Sequence, residues 1–347
     1  MRKAYKIVAV LGILLAMSAL VFLAGGCGGT DTTTTESTGP ASTDTTAGEV
    51  TGNFTIGVTQ IVSHPALDAT VEGFKEAMAE QGFVEGKNVT YDLQNAQGEM
   101  PNASTIAQKF VGDGVDLILS VATPTSQAVV KATTTIPIVF AAVTDPVAAG
   151  LVTNPDAPEA NVTGVSDMLP VQPHLDLIKK IVPNVKTIGL LYNAGEANSV
   201  ALVEKEKAAA EAMGLKVVEA TASSSSEVLA AAQSLVGRVD AISVLTDNTV
   251  VSALESVVKV CQENKIPLIA GDTDSVKRGA VAALAFDYKD HGKQAGIVAA
   301  QILKGTLISK IAVQYAQNLQ LAINQAAATA MGVTIPDDLK SEADLTF

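Results

Sequence analysis

Residues 115–146, VDLILSVATPTSQAVVKATTTIPIVFAAVTDP, carry the clearest architectural signal in the chain. An apolar run rich in β-branched residues ends in a Thr-Pro-Thr-Ser turn. An Ala- and Val-bearing amphipathic stretch follows, and a second apolar run, IPIVFAA, ends at Thr144-Asp145-Pro146. Two strands separated by a helix of this length form a parallel pair, because a tight hairpin cannot connect parallel neighbours. Residues 239–274, VDAISVLTDNTVVSALESVVKVCQENKIPLIAGDTD, repeat the same order of strand, polar turn, helix, Ile-Pro strand and Asp-containing turn. A pattern met twice in one chain points to a duplicated βαβ plan.

The alternation continues on either side of these segments. Strands are expected at 54–59, 88–93, 115–121 and 136–142, with helices at 66–81, 102–113 and 124–133 between them. The first helix sets Leu67, Val71, Phe74 and Met78 at spacings of three and four, which gives it one buried face. After NVTGVSD (161–167) the series restarts. It has a helix at 172–182, strands at 186–192, 215–219, 239–245 and 266–270, and helices at 197–213, 226–237 and 249–264. The tail offers a helix at 288–304, a β-rich stretch at 311–323 and a short helix at 325–331, too little for a third core. The fold class expected is α/β: two Rossmann-like lobes, each a parallel sheet flanked by helices.

Composition agrees with two globular cores. Of 347 residues, 48% are apolar and 17% charged, which excludes a disordered or collagen-like chain. The formal charge of −13 and pI near 4.7 oppose binding to phosphate backbones or anionic lipid, so no nucleic-acid partner is expected. Residues 1–6 carry Arg2, Lys3 and Lys6 without an acid, and residues 7–24 are uncharged and apolar up to Gly25-Gly26-Cys27. This reads as an export signal over 1–26. An apolar run of this length also stands at the lower limit for a spanning helix, so a retained anchor is the competing reading. Leu23-Ala24-Gly25-Gly26-Cys27 resembles the bacterial lipobox, which implies lipidation of Cys27 and attachment to the outer face of the cell membrane. Loss of residues 1–26 removes three positive charges from the formal −13 and leaves −16. Residues 28–52 are almost all Gly, Thr, Ser, Asp and Glu and read, with Cys27, as a flexible linker. Cys261, the other cysteine, lies in an apolar stretch and reads as a small buried hydrophobe.

In open parallel sheets ligands gather beyond the carboxyl ends of the strands, so the residues that follow each strand are the candidates. Ala122 to Ser126 open a helix with Pro124 near its first turn. Free N–H groups there, beside the hydroxyls of Thr123, Thr125 and Ser126, suit a small carboxylate, although ordinary N-capping uses the same residues. Asp247 and Asp272, at the ends of second-lobe strands, suit a ligand ammonium, with capping again the competing role. Thr144, Asp145, Asn198, Ser199, Thr246 and Asn248 complete the polar turns. A hydroxyl-rich helix start facing aspartates describes a receptor for a zwitterion. His64 sits in a Ser-His-Pro turn and could line the pocket or serve only the surface. The three histidines, His64, His174 and His291, lack metal-binding spacing, so no metal is expected. No nucleophile elbow, phosphate loop or dinucleotide fingerprint occurs, so neither catalytic residues nor a cofactor are expected.

Several long segments then resemble one family. IPIVFAAVTDPVAAGLV (136–152), NVTGVSD (161–167), IPLIAGDTDSVKRGAVAALAFDYKDHGKQAG (266–296) and LAINQAAATAMGVTIP (321–336) look like the solute-binding lipoproteins of ABC importers. More narrowly, they resemble the tryptophan/tyrosine-type substrate-binding family. SHPALD-like and QNAQG-like segments, here Ser63 to Asp68 and Gln94 to Gly98, add His64, Pro65, Asp68 and Gln94 to the candidate ligand residues. The resemblance implies a type I periplasmic-binding-protein fold with about three hinge crossovers, near 165–170, 284–288 and 308–312. One lobe then comprises 53–167 with 286–308, and the other 168–285 with 309–347. Asp287 and the flanking rings of Phe286 and Tyr288 would meet ligand at the second crossover. It further implies a monomeric receptor that delivers an amino-acid-like solute to an ABC permease. The absence of tryptophan weighs against a sugar. A sensor of the same fold reporting to a signalling partner is the nearest alternative, and a secreted α/β enzyme a more distant one.

Overall fold

The computed structural model describes residues 51–347. The expected signal peptide, Cys27 and nearly all of the linker lie outside the described residues. The first half of the described chain forms β1 (Phe54–Gln60), α1 (Pro65–Glu80), β2 (Val89–Asn95), α2 (Met100–Asp113), β3 (Leu117–Val121), α3 (Thr123–Ala132), β4 (Ile138–Val143) and β5 (Val162–Ser166). The second series runs α4 (Val171–Ile181), β6 (Thr187–Tyr192), α5 (Ala197–Ala212), β7 (Lys216–Thr221), α6 (Val228–Ser234), β8 (Ala241–Val244), α7 (Asn248–Ser252), α8 (Leu254–Asn264), β9 (Leu268–Ala270), α9 (Thr273–Lys277) and β10 (Ala282–Ala285). The tail adds α10 (Tyr288–Leu303), β11 (Gln314–Tyr315), β12 (Gln320–Ile323), α11 (Gln325–Ala330), α12 (Asp337–Glu342) and β13 (Leu345–Thr346).

Two sheets result. The first has strand order β11-β5-β4-β3-β1-β2 and the second β13-β12-β10-β9-β8-β6-β7. All neighbours are parallel except β10 and β12. In each sheet the order reverses beside the first strand of its series, between β1 and β3 and between β6 and β8. A crevice opens at such a switch point beyond the strand ends. Each sheet has its own core. One is built on Phe74, Phe110, Phe140 and the β1, β3 and β4 side chains, the other on Leu175, Ile178, Leu202 and the β6, β8 and β9 side chains.

Helix α1 buries Leu67, Phe74 and Met78 as its periodicity requires, while Val71 stays half-buried at the rim. Its outer side packs on α10, and glycines allow the contact. A Cβ at Gly73 would overlap the Lys289 carbonyl, and one at Gly292 would overlap the Thr70 carbonyl. A C-terminal helix is thereby locked onto the first lobe.

Four features depart from the sequence expectations. Residues 162–166, read only as a transition, form the buried strand β5. Ala282–Ala285 form β10, although Ala-Ala-Leu-Ala has little strand propensity; burial between two strands decides the conformation. The expected helix at 249–264 breaks at Ala253 (φ −118°, ψ 27°), where the Arg278 guanidinium takes the Val251 carbonyl at 2.8 Å. The chain passes between sheets after Ser166, between Ala285 and Tyr288, and after Tyr315. The last passage lies beyond the expected 308–312, because Gln314 and Tyr315 pair with Val165 and Ser166 of the first sheet.

Candidate functional site

The carboxyl ends of both sheets face one another across an inner cavity. His64, Ala66, Leu67, Ala142, Thr144, Asp167 and Tyr288 line it from the first lobe, and Asn198, Thr246, Asp247, Asn248, Val251 and Asp272 from the second. The lobes meet at its edge, where the Thr144 and Thr246 hydroxyls stand 3.4 Å apart. A wider chamber opens on the far side of Asn248, with Pro124, Gln127, Glu196 and Ser223 to Ser225 in its walls.

Three buried aspartates dominate the inner cavity. Asp247 caps α7, accepting the Val250 N–H at 2.7 Å, and also takes the Asn193 N–H and the Ser199 hydroxyl, both at 2.6 Å. Burial pushes its carboxyl up to about 7; the neighbouring Glu196 charge adds to the rise and the N–H and hydroxyl donors oppose it. Asp272 caps α9 through the Ser275 N–H at 2.7 Å and holds the Ser275 hydroxyl at 2.5 Å. Asp167 accepts from the Tyr288 phenol at 2.7 Å and the Thr144 hydroxyl at 3.1 Å. Each carboxylate thus meets only neutral donors and keeps lone pairs free for a ligand. Among the described residues no Lys or Arg lines the cavity. The guanidinium of Arg278 is committed to Glu255 and the Val251 carbonyl. A cationic group is therefore the partner this floor lacks.

The remaining walls are set by backbone geometry. Ala142 holds the left-handed conformation (φ 53°), and its N–H donates to His291 Nε2 at 2.8 Å, which fixes the turn after β4. Gly271 lets the turn after β9 pass against the Leu245 backbone, where a Cβ would stand 2.9 Å from the Leu245 Cα. His64 caps the start of α1 without any side-chain hydrogen bond, and burial holds its imidazole below the usual value against the pull of Asp272. Among the described residues no group of three His, Cys, Asp or Glu side chains is placed to hold a metal ion.

Of the residues expected from the sequence, His64, Thr144, Asn198, Thr246, Asp247, Asn248 and Asp272 line the inner cavity, and Ser199 stands behind Asp247. Pro124 faces the outer chamber. The other α3 residues are turned to local bonding. Thr125 bonds the Val121 carbonyl, Ser126 bonds the Ala122 carbonyl and Ser120 Oγ, and Ala122 takes a strained φ of 80°. Thr123 is buried with an unpartnered hydroxyl. Pro65 is exposed at the first position of α1. Asp68 and Gln94 lie in a separate surface depression with Gln60 and Asn95. Asp145 receives the Ala148 N–H and Asp287 caps α10, and neither lines the cavity. At that crossover the ring beside it, Tyr288, enters the site, together with Asp167. The Tyr288 ring is one of those expected at the second crossover; Asp167 was missed, although it follows an apolar strand as Asp145 and Asp247 do.

The sequence and the fold match a known group. A family model described as ABC transporter substrate binding protein matches residues 55–346. The chain belongs to that family. This substrate-binding protein is 39% identical over 276 residues, 80% of each chain, to the tyrosine-binding protein of Clostridioides difficile strain R20291. A crystal structure from Streptococcus pneumoniae, an ABC domain in complex with L-Trp, is 38% identical with a TM-score of 0.82, covering 85% of this chain and all of that one. The ligand-free, open structure of a Clostridium difficile substrate binding protein with adhesive properties is 41% identical with a TM-score of 0.64, covering 84% of this chain and 98% of that one. The fold is the type I periplasmic-binding-protein fold, and the protein is the extracytoplasmic, non-enzymatic solute receptor of an ABC importer, working with its permease.

Proposed function

We propose that this receptor takes up an aromatic or other hydrophobic amino acid in the inner cavity and passes it to its permease as a lipid-anchored monomer. The observation that carries the ligand class is the cavity floor: three buried carboxylates, Asp167, Asp247 and Asp272, with no Lys or Arg among the described residues lining the space. An α-ammonium supplies the missing charge, while Leu67, Ala142 and Val251 offer apolar contact. Desolvating an ammonium is costly unless it is paired, and the pairing groups belong to both lobes, so ligand favours the closed form. The names of two relatives, one binding tyrosine and one holding L-Trp, support the aromatic side chain. The lipobox-like segment before Cys27 supports the anchor. Residues 53–167 with 286–315 then move as one lobe and 168–285 with 316–347 as the other.

Mass spectrometry of small molecules released on denaturing the purified protein tests the ligand class. The expected result is an aromatic or branched aliphatic amino acid, with a rise in Tm when that compound is added back. Release of a sugar or polyol, with no thermal response to any amino acid, contradicts the reading.

A further inference from the structure

The cavity aspartates account for an ammonium, but an amino acid brings a carboxylate as well. The start of α3, whose hydroxyls suit an anion on paper, has spent those of Thr125 and Ser126 on the Val121 and Ala122 carbonyls and on Ser120. Thr123 keeps a buried, unpartnered hydroxyl, but no α3 residue lines the inner cavity, whereas the start of α1 does. Pro65 has no N–H, the first turn closes with the Asp68 N–H on the His64 carbonyl at 3.0 Å, and the Ala66 and Leu67 N–H groups have no acceptor among the described residues. These two residues are 2% and 3% exposed and line the inner cavity, so bulk water does not satisfy them. Buried donors without partners call for an acceptor. An independent feature points to the same place. His64 is only 9% exposed, lines the same cavity, and its Nδ1 is buried without a partner.

We propose that the N-terminus of α1, through the Ala66 and Leu67 N–H groups and the His64 imidazole, is the seat of the ligand's α-carboxylate. This assignment rests on the amino-acid reading of the cavity. Helix α1 has 16 residues, enough for its aligned peptide dipoles to favour an anion at this end. A neutral imidazole still has one N–H to donate, and it adds no charge that would repel the ammonium held by the aspartates. The receptor then distinguishes a free amino acid from its amide or amine at α1, leaving α3 to frame the outer chamber.

Calorimetry with L-tryptophan, L-tryptophanamide and tryptamine tests this on the wild type and on His64→Asp. Wild type is expected to bind the acid about 10- to 100-fold more tightly than either analogue, the range for losing charge-assisted hydrogen bonds. Aspartate is a strong N-cap, so His64→Asp satisfies the α1 N–H groups from within and places a negative charge where the carboxylate sits. Its Tm should match or exceed that of wild type, its affinity for L-tryptophan should fall at least about 10-fold, and its affinity for tryptamine should hold or rise. Should His64→Asp fold poorly, His64→Ala is expected to weaken L-tryptophan several-fold and leave tryptamine unchanged. Wild-type affinity for the acid in His64→Asp, or equal wild-type affinity for acid and amide, overturns the assignment while the amino-acid reading stands. Failure of wild type to bind any amino acid overturns both.

Discussion

The two lobes share one βα plan, yet they finish their strand ends in opposite ways. In the second lobe the turns are closed by their own acids: Asp247 caps α7, Asp272 caps α9, and Glu196 gathers the N–H groups of Asn248 and Thr249. In the first lobe α1 and α3 both begin without a side-chain cap, and the one acid on the cavity, Asp167, is tied to Tyr288 and Thr144. One half of the cleft therefore arrives self-satisfied and negative, the other with free donors and a positive helix end. A common fold sets where the crevice lies, and the cap residues set its polarity. A zwitterion bridging the halves relieves what each lacks.

Removing the most connected acid breaks this contrast most severely. Asp247→Ala deletes an acceptor for three donors and is expected to weaken amino-acid binding by about 2–5 kcal/mol, with a lowered Tm, read by calorimetry and thermal melts. Binding within error of wild type would remove Asp247 from the ligand site. The second lobe also buries Glu206 beside His174 and Ser243, and burial raises that carboxyl to about 7. Between about 4.5 and 7 the folded state then binds more protons than the unfolded chain, so this group's contribution to stability falls as pH rises through that window. Glu206→Gln removes the penalty. The variant should gain on wild type by on the order of 3 kcal/mol as pH climbs from 4.5 to above 7, seen in denaturant melts at several pH values. A constant offset across pH would show that Glu206 is not held neutral.

Smaller effects sharpen the comparison from the first lobe. Tyr288→Phe strips Asp167 of its phenol donor and should cost about 1–3 kcal/mol of stability in urea titrations, with ligand affinity falling less than in Asp247→Ala. Asp272→Asn keeps an N-cap and should change Tm little, while removing a charge from the cavity floor; an unchanged affinity for an amino acid would assign the ammonium to Asp167 and Asp247.

Long β-branched runs and the amphipathic face of α1 were legible because periodicity is a local property, and with them came both sheets and the position of the cleft. Less legible were elements whose conformation is imposed by neighbours. Ala282–Ala285 form a strand between β9 and β12, and the break at Ala253 lies beside a carbonyl bonded by an arginine far along the chain. Among the site residues, Asp247 and Asp272 declared themselves as acids after strands. Polar turns look alike in sequence whether their hydroxyls face ligand or their own backbone, which is why Thr125 and Ser126 read as a carboxylate seat and turn out to be bonded locally. Orphaned N–H groups at Ala66 and Leu67 leave no mark in sequence at all.

A crystal structure of the protein grown with L-tryptophan tests the central claim most directly. The amino acid should lie enclosed between the lobes, its ammonium against the aspartates of the floor and its carboxylate over the start of α1, with Thr144 and Thr246 still in contact. A ligand bound on one lobe alone, or lobes that close with no solute between them, would contradict it.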